Sequence, residues 1–374
     1  MPKKMNLLDL FSGIGGFHLG LEKAGFKFDK VFNSDVDKYA NAVYKYNFKE
    51  SINVGSVTNV RGIELPKIDA ITFGSPCQDF SIAGSRSGLE GSRSSLISEA
   101  IRLISECQPR FFIWENVKGT FSSNNGEDFW AIIQAFTNIG GYRLEWQLLN
   151  TSWFLPQNRE RIYLVGCLGK GSGEKIFPIE ENDRIYNNGS PGTKPKTQIS
   201  GAITTGEGSR RESNFVKIKE ATKDGYSIAE VGDSINFSVP NSKTRRGRVG
   251  KKAAQTLDTA CNQAVIEPGT LRTHNEGKGF RKIKNGNAPA IPARARNDGS
   301  GQPVVKEKEK IRRLTPIECE RLQGFPDNWT KKGIDGLISD TQRYKMCGNA
   351  VTVDVVKAVG EKIYAQETKS QNIN

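Results

Sequence analysis

Met5-Asn6-Leu7-Leu8-Asp9-Leu10-Phe11 runs directly into Ser12-Gly13-Ile14-Gly15-Gly16-Phe17. The first seven residues form an apolar run of strand length, the pattern of a strand buried in a parallel sheet. The glycines after it permit a sharp turn and close approach of a ligand to the backbone, and a helix to about Ala24 is expected next. The same unit then recurs. Phe28–Phe32 ends at Asn33-Ser34-Asp35 before a helix from Asp37 to Tyr46, and Ile68–Phe73 ends at Gly74-Ser75-Pro76-Cys77-Gln78. Helix Leu96–Cys107 leads to strand Arg110–Trp114, which ends at Glu115-Asn116. A helix over Phe129–Ile139 precedes strand-like Arg143–Leu149 and Ile162–Cys167. Alternation at this spacing predicts an α/β fold with a parallel sheet, helices on both faces, and ligands beyond the carboxyl ends of the strands.

Outside that pattern, composition changes. The chain has 374 residues and a net charge of +13, with 54 Lys+Arg against 41 Asp+Glu. Residues 170–313 hold 28 of the basic and 16 of the acidic side chains, so nearly the whole excess lies in one segment. That segment is also rich in Gly, Ser, Asn and Thr, with short strand-like runs at Asn214–Ile218 and Gln263–Ile266. The expected organisation is a domain of residues 1–168 plus 311–374, interrupted by a loop-rich lobe of residues 169–310. A concentrated positive field is the footprint of a polyanion partner, because neutralised phosphates release counterions.

A mean hydropathy of −0.52 with 36% hydrophobic residues suits a water-soluble protein with a core. No stretch reaches the roughly 20 apolar residues of a bilayer helix. The six cysteines (77, 107, 167, 261, 319, 347) form no CxxC pair, and the only histidines are His18 and His274. Neither a disulfide scaffold nor a metal site is expected, and a cytoplasmic, reducing location is.

Two clusters carry the chemistry. At the first, the glycine turn and Asp35, at the end of the second strand, suit an adenosine-containing cofactor whose ribose hydroxyls the acid would bind. Counting from Gly13 and Gly15, His18 stands where a diphosphate-binding turn would have its third glycine, which favours a cofactor without phosphates. At the second, Cys77 ends a strand on a glycine-flanked loop, Glu115 ends its neighbour, and Gln157-Asn158-Arg159-Glu160-Arg161 precedes another apolar run. A thiol is nucleophilic as thiolate, and nearby guanidiniums favour that form.

These motifs, in this order, resemble the DNA cytosine-5 methyltransferases. The set comprises residues 9–17, Gly74-Ser75-Pro76-Cys77-Gln78-Asp79-Phe80-Ser81, Ser92-Arg93-Ser94-Ser95-Leu96 and Glu115-Asn116-Val117. It continues through residues 157–161, then Arg313-Leu314-Thr315-Pro316 to Phe325-Pro326, and Gly348-Asn349-Ala350-Val351. The resemblance spans residues 5–168 and 311–364. It implies a Rossmann-like methyltransferase sheet, with the basic lobe as a smaller β-rich target-recognition domain.

By the same resemblance, Cys77 is the nucleophile that adds to C6 of a flipped cytosine, and Glu115 contacts N3 and the exocyclic amine. Arg161 binds O2, and Arg159 supports the same region. S-adenosylmethionine, leaving as S-adenosylhomocysteine, is assigned to Phe11, Ser12, Gly13, Ile14, Gly16, Asp35, Pro76, Leu96, Asn349 and Val351. Two positions depart from the family's pattern: Ser56 stands where an acid often meets the adenine amine, and Val36 where an aromatic often follows the ribose-binding acid. Both remain in the expected pocket.

The expected partner is double-stranded DNA. Gln78, Ser81, Arg86 and Arg93 lie on a loop expected to close over it. Thr244-Arg245-Arg246-Gly247-Arg248 is a basic cluster suited to phosphate or guanine. The family carries a Thr-Leu pair near the target base, and both Thr256-Leu257 and Thr270-Leu271 qualify by spacing. The enzyme is expected to act as a monomer, with a cognate restriction endonuclease a plausible companion. A tRNA methyltransferase of the same fold, or a catalytically silent DNA-binding relative, is the alternative.

Overall fold

The structure is a computed structural model, and it describes residues 4–75, 96–169, 175–180, 215–230, 232–236, 238, 247–260, 263–266, 269–272, 279–282 and 311–371. The chain divides into two compact units. The first comprises Met1–Asp183, Gln255–Cys261 and Leu314–Asn374, and the second Arg184–Ala254 and Asn262–Arg313. Residues 175–180 and 255–260, which the sequence assigned to the lobe, thus group with the first unit.

The first unit opens with β1 (Met5–Leu10), α1 (Gly16–Lys23), β2 (Phe28–Ser34), α2 (Lys38–Asn47), β3 (Ile52–Asn53) and β4 (Ala70–Gly74). Then come α3 (Leu96–Cys107), β5 (Phe111–Val117), α4 (Glu127–Ile139), β6 (Tyr142–Asn150) and β7 (Glu160–Leu168). These strands form one sheet in the order β3-β2-β1-β4-β5-β7-β6. Strands β1 to β5 pair in parallel as expected, but β7 is antiparallel to both β5 and β6. This corrects the all-parallel expectation, and the reason is visible in the connection. The stretch between β6 and β7 is a tight turn through residues 151–159, too short for the crossover that a parallel neighbour requires.

The reversal matters for function. Because β7 runs backwards, its first residues lie beside the last residues of β5, with Val117 opposite Arg161 and Glu115 opposite Tyr163. Arg159 and Arg161 therefore arrive at the same sheet edge as the carboxyl ends of β1, β4 and β5. Strand β5 also runs further than expected, so Glu115 and Asn116 lie inside it rather than beyond its end.

Apolar clusters cover both faces of the sheet. Leu7, Phe111 and Ile113 pack with α1 and with the last helix, while Leu8, Leu10, Phe112 and Trp114 pack against α3 and α4. Alternation along β1 thus sends Leu8 and Leu10 to one side and Leu7 and Asp9 to the other. In β7, Gly166 lies opposite Phe112, and a Cβ there would run into the edge of the ring at Cε1. Phe112 is fully buried. Gly166→Ala is therefore expected to cost about 1–3 kcal/mol by overpacking, read as a lower urea midpoint at unchanged slope.

The second unit contains β8 (Phe215–Lys219), β9 (Tyr226–Glu230), β10 (Ser234–Asn236), β11 (Val249–Gly250), β12 (Gln263–Ile266), β13 (Gly269–Arg272), β14 (Gly279–Lys282) and β15 (Ile311–Arg313). They pair as a four-stranded sheet, β11-β10-β12-β15, and the two hairpins β8-β9 and β13-β14. The chain then returns to the first unit through α5 (Pro316–Leu322), α6 (Asp340–Asn349) and α7 (Val353–Gln371). Thr315 starts α5 with a full capping box, its hydroxyl accepting from the Glu318 amide while the Glu318 carboxylate accepts from the Thr315 amide.

Candidate active site

Glycine and strain shape the turn after β1. Phe11 has φ 50°, a left-handed value uncommon for a bulky residue, and Gly13 (φ 52°) and Gly15 (φ 85°) follow it there. Non-glycine residues in this region persist where surrounding structure holds them, and such sites cluster at ligand clamps. A Cβ on Gly13 would meet no atom within 4 Å, so this glycine faces open space. The Gly13 amide donates to Asp35 Oδ2 (2.8 Å), and the Asp37 amide donates to Asp35 Oδ1 (2.8 Å). Asp35 is therefore held rigidly beside the turn. Asp37 caps α2: its carboxylate accepts from the amides of Tyr39 and Ala40 and meets Lys345 at 2.7 Å. Burial pushes the Asp37 pKa upward, but these bonds, led by that of Lys345, together outweigh it and lower the pKa.

Gly16 and Val351 pack on each other. A Cβ on Gly16 would lie 2.6 Å from Val351 Cγ2, so the two fill each other's space where α1 meets the chain before α7. His18 is buried, stacks on Phe48 at 3.8 Å and places Nδ1 3.1 Å from the Tyr44 hydroxyl. It is a core residue.

At the far end of the same edge, Glu115 and Arg161 meet as a diagonal cross-strand pair, Oε1 to Nε at 3.1 Å. Glu115 is 8% exposed, and beyond this ion pair its Oε1 takes no hydrogen bond from the described residues. Arg159 is buried as well. Its guanidinium donates to the carbonyls of Gly348 (3.3 Å) and Ala350 (3.0 Å), leaving Nε without a partner among the described residues. Burial first, then the charge of Arg161, brings its pKa down to about 10, still protonated at neutral pH. Arg159 thus straps the 348–350 segment to the sheet edge.

Both clusters line one cavity of about 530 Å³. Of the residues assigned to cofactor or catalysis, Phe11, Gly13, Ile14, Asp35, Val36, Ser56, Leu96, Glu115, Arg159, Arg161 and Asn349 line it. Ser12, Gly16 and Val351 are absent from its lining. Ser12 lies just behind the turn, with a buried hydroxyl that has no partner among the described residues. Ser56 shares a hydrogen bond with Thr58 (2.9 Å), and Val36 is 80% exposed. The sequence reading missed Ser34, Met346, Gly348, Ser75, Asn116 and Val117, which also line the cavity. Ser34, Ser75, Asn116 and Gly348 each adjoin a residue already singled out and Val117 stands one further on, so adjacency was the available signal. Met346 carried none.

Pro76, Cys77, Gln78, Ser81, Arg86, Arg93, Arg245 and Arg246 lie outside the described residues. Arg248 does not sit on an open basic face. It is 3% exposed, and its amide donates to Glu220, whose carboxylate also takes the Gly247 amide. A phosphate-facing role does not fit that burial. The two Thr-Leu pairs part company. Thr270-Leu271 belongs to β13, opposite Arg281 and Phe280 of β14 in the second unit. Thr256-Leu257 belongs to the first unit, where the Thr256 hydroxyl donates to the carbonyl of Asn158 (2.8 Å) and Leu257 is buried. The Asp258–Thr259 peptide rests on Gly348, whose missing side chain makes the contact possible, since a Cβ would meet backbone at 2.7 Å.

Among the described residues no group of three or more His, Cys, Asp or Glu could hold a metal, and no helix is long and apolar enough to cross a membrane.

Comparison with known proteins agrees with this geometry. The family model of the C-5 cytosine-specific DNA methylases matches residues 5–365. The chain is 32% identical to the type II methyltransferase M.FnuDI of Fusobacterium nucleatum, across 99% of this chain and 97% of that one. It is 30% identical to the orphan methyltransferase M.SPRI of Bacillus phage SPR, across 96% and 97%. Among solved structures, the Entamoeba histolytica methyltransferase EhMeth has the same fold at a TM-score of 0.57, with 19% identity over 97% of this chain and 98% of that one. The S. pombe Dnmt2 methyltransferase follows at 0.54 and 18%, over 98% and 99%. A cavity joining a glycine turn to a buried Glu–Arg pair, in a chain matched almost end to end, makes this protein a member of the C-5 cytosine-specific DNA methylases and a DNA cytosine-5 methyltransferase.

Proposed function

We propose that the enzyme methylates C5 of a cytosine turned out of a specific double-stranded DNA sequence, through a transient bond from Cys77 to C6. The supporting observation is the single cavity. It runs from the Gly13–Asp35 wall to the Glu115–Arg161 ion pair, and at or beside it the buried Arg159 Nε and Ser12 Oγ have no hydrogen-bond partner among the described residues. Unpaired buried polar atoms are costly, each about 1–3 kcal/mol, so a cluster of them points to a polar ligand.

The cofactor end fits S-adenosylmethionine. Asp35 is fixed for ribose hydroxyls, Gly13 leaves the space a ligand would fill, and Phe11, Ile14, Ser56 and Leu96 supply the walls. When bound, S-adenosylmethionine supplies an electrophilic methyl group on a sulfonium. The chain must supply a nucleophilic C5, which aromatic cytosine lacks. The Cys77 thiolate adds to C6, and the displaced electron pair makes C5 nucleophilic. Glu115 accepts hydrogen bonds from protonated N3 and the exocyclic amine, and Arg161 donates to O2. After C5 is methylated its proton leaves to a base, the C6–S bond breaks, and the thiolate returns. The target atoms are unreachable inside a duplex, so the base is flipped.

Between the Thr-Leu pairs, Thr256-Leu257 is the one we assign to the target base, because its Thr256 bonds to Asn158, next to Arg159. Arg245 and Arg246 are assigned to DNA contact; Arg248 is not. A cytoplasmic monomer paired with a restriction endonuclease fits the type II relatives.

The test is a duplex carrying 5-fluorocytosine, from which the C5 substituent cannot leave, offered with S-adenosylmethionine. The intact enzyme is expected to form an adduct stable in denaturing gels, and Cys77→Ser none. Label transferred to tRNA and not to DNA would overturn the proposal. Bisulfite sequencing of DNA from expressing cells reads the target sequence directly.

A further inference from the structure

We propose that Ser75 is a positioning residue for the nucleophile, held by two donors on β5. This deepens the function proposed above and rests on it. Ser75 is the last described residue before Pro76-Cys77, and it is 8% exposed. Its hydroxyl accepts from Trp114 Nε1 (3.0 Å) and from Asn116 Nδ2 (3.0 Å), and its carbonyl accepts from Asn116 Nδ2 (3.2 Å).

Neither donor is free to wander. Trp114 is fully buried and tilts against Phe136 at 5.9 Å. Asn116 Oδ1 accepts from the Val117 amide (2.7 Å) and the Thr120 hydroxyl (3.3 Å), which fixes the orientation of the amide and aims its NH₂ at Ser75. On the other side, Pro76 restricts the backbone of Ser75 to extended conformations. The residue that leads into Cys77 is thus fixed at hydroxyl, carbonyl and backbone.

Strand alternation gives this arrangement its consequence. Trp114 and Asn116 share one face of β5, and Glu115 lies between them on the other. One strand therefore holds the chain leading to the thiol and carries the carboxylate that meets the base. A Cβ on Gly74, immediately before Ser75, would stand 3.1 Å from Glu115 Oε2, so the two strand ends are already in contact. Attack on C6 requires the sulfur within about 3–3.5 Å of the carbon, and an ångström of misplacement costs on the order of 100-fold in rate. A serine gripped from β5 sets that distance relative to Glu115.

The experiment compares Ser75→Ala, Ser75→Thr and Trp114→Phe with the intact enzyme. It reads the single-turnover rate of adduct formation on 5-fluorocytosine duplex, together with binding of that duplex and of S-adenosylmethionine. Ser75→Ala is expected to slow adduct formation by about 10–100-fold while both affinities stay within about twofold. Ser75→Thr, which keeps the acceptor oxygen, is expected to recover most of the rate. An unchanged rate in folded Ser75→Ala overturns the inference. So does a rate loss matched by equal losses of both affinities, which is the mark of general disruption. Should Ser75→Ala not fold, Trp114→Phe decides by the same comparison, with a smaller rate loss supporting the inference and none overturning it. Absence of adduct with the intact enzyme would instead strike the covalent reading itself.

Discussion

Replacing Glu115 by glutamine is expected to slow methyl transfer by about 10²–10⁴-fold, the usual weight of a positioned acid–base group, while DNA affinity changes only a few-fold. The side chains have nearly the same shape, so packing beside Gly74 survives. What changes is polarity. A carboxylate can accept from protonated N3 and the exocyclic amine together, whereas an amide has one acceptor oxygen and brings two donors of its own. The substitution also removes the negative charge that lies 3.1 Å from Arg161 in a buried setting. The two residues then act as a unit, so Glu115→Gln with Arg161→Ala should lose less than the product of the single losses. Single-turnover kinetics at saturating DNA and cofactor measure this. A Glu115→Gln enzyme within threefold of the parent would remove Glu115 from the chemistry.

The elements of that site differ in how plainly the sequence announces them. Residues 5–16 were legible because a buried strand followed by glycines has few other readings, and α3 lies where its amphipathic pattern placed it, Leu96–Cys107. Motif order hints that Glu115 meets Arg161, but no local pattern dictates it. The meeting depends on β7 running backwards, a property of pairing partners. The segment 255–260 was misplaced for a similar reason. Its composition belongs to the basic lobe, yet its contacts are the Asn158 carbonyl and the bare Cα of Gly348, both remote in sequence. Arg248 is the converse case. A run of arginines reads as a surface, and burial of one member against Glu220 leaves no trace in a local window.

Substituting Asp9 by asparagine is expected to change how stability depends on pH. Asp9 is completely buried, directly opposite Thr72 across the β1–β4 pairing. Its carboxyl oxygens meet the Thr72 hydroxyl at 2.8 Å and the Tyr44 hydroxyl at 3.3 Å, and Tyr44 in turn lies 3.1 Å from His18, whose Nε2 is 3.4 Å from Glu22. Burial is the dominant cause that lifts the Asp9 pKa from 3.8 to about 8; the two hydroxyl bonds oppose it and the charge of Asp35 adds to it. In the folded protein at neutral pH the group therefore keeps its proton, whereas the unfolded chain releases it above about pH 4. Its contribution to stability is complete below the unfolded value and declines as pH rises towards the folded value. At about 1.4 kcal/mol per pH unit of separation, the decline amounts to several kcal/mol by pH 8. Asparagine fills the same space and never ionises, so Asp9→Asn should flatten the profile: no more stable than the parent at pH 5, and more stable by a few kcal/mol at pH 9. Urea unfolding at pH 5, 7 and 9 checks this, and parallel profiles for the two proteins would show that Asp9 does not titrate in that window. The same charge sits two residues before Phe11, at the root of the glycine turn. Cofactor affinity in the parent should accordingly fall above pH 8, and fall less in the variant, because a carboxylate seeking water at that position strains the turn that Gly13 and Asp35 hold shut.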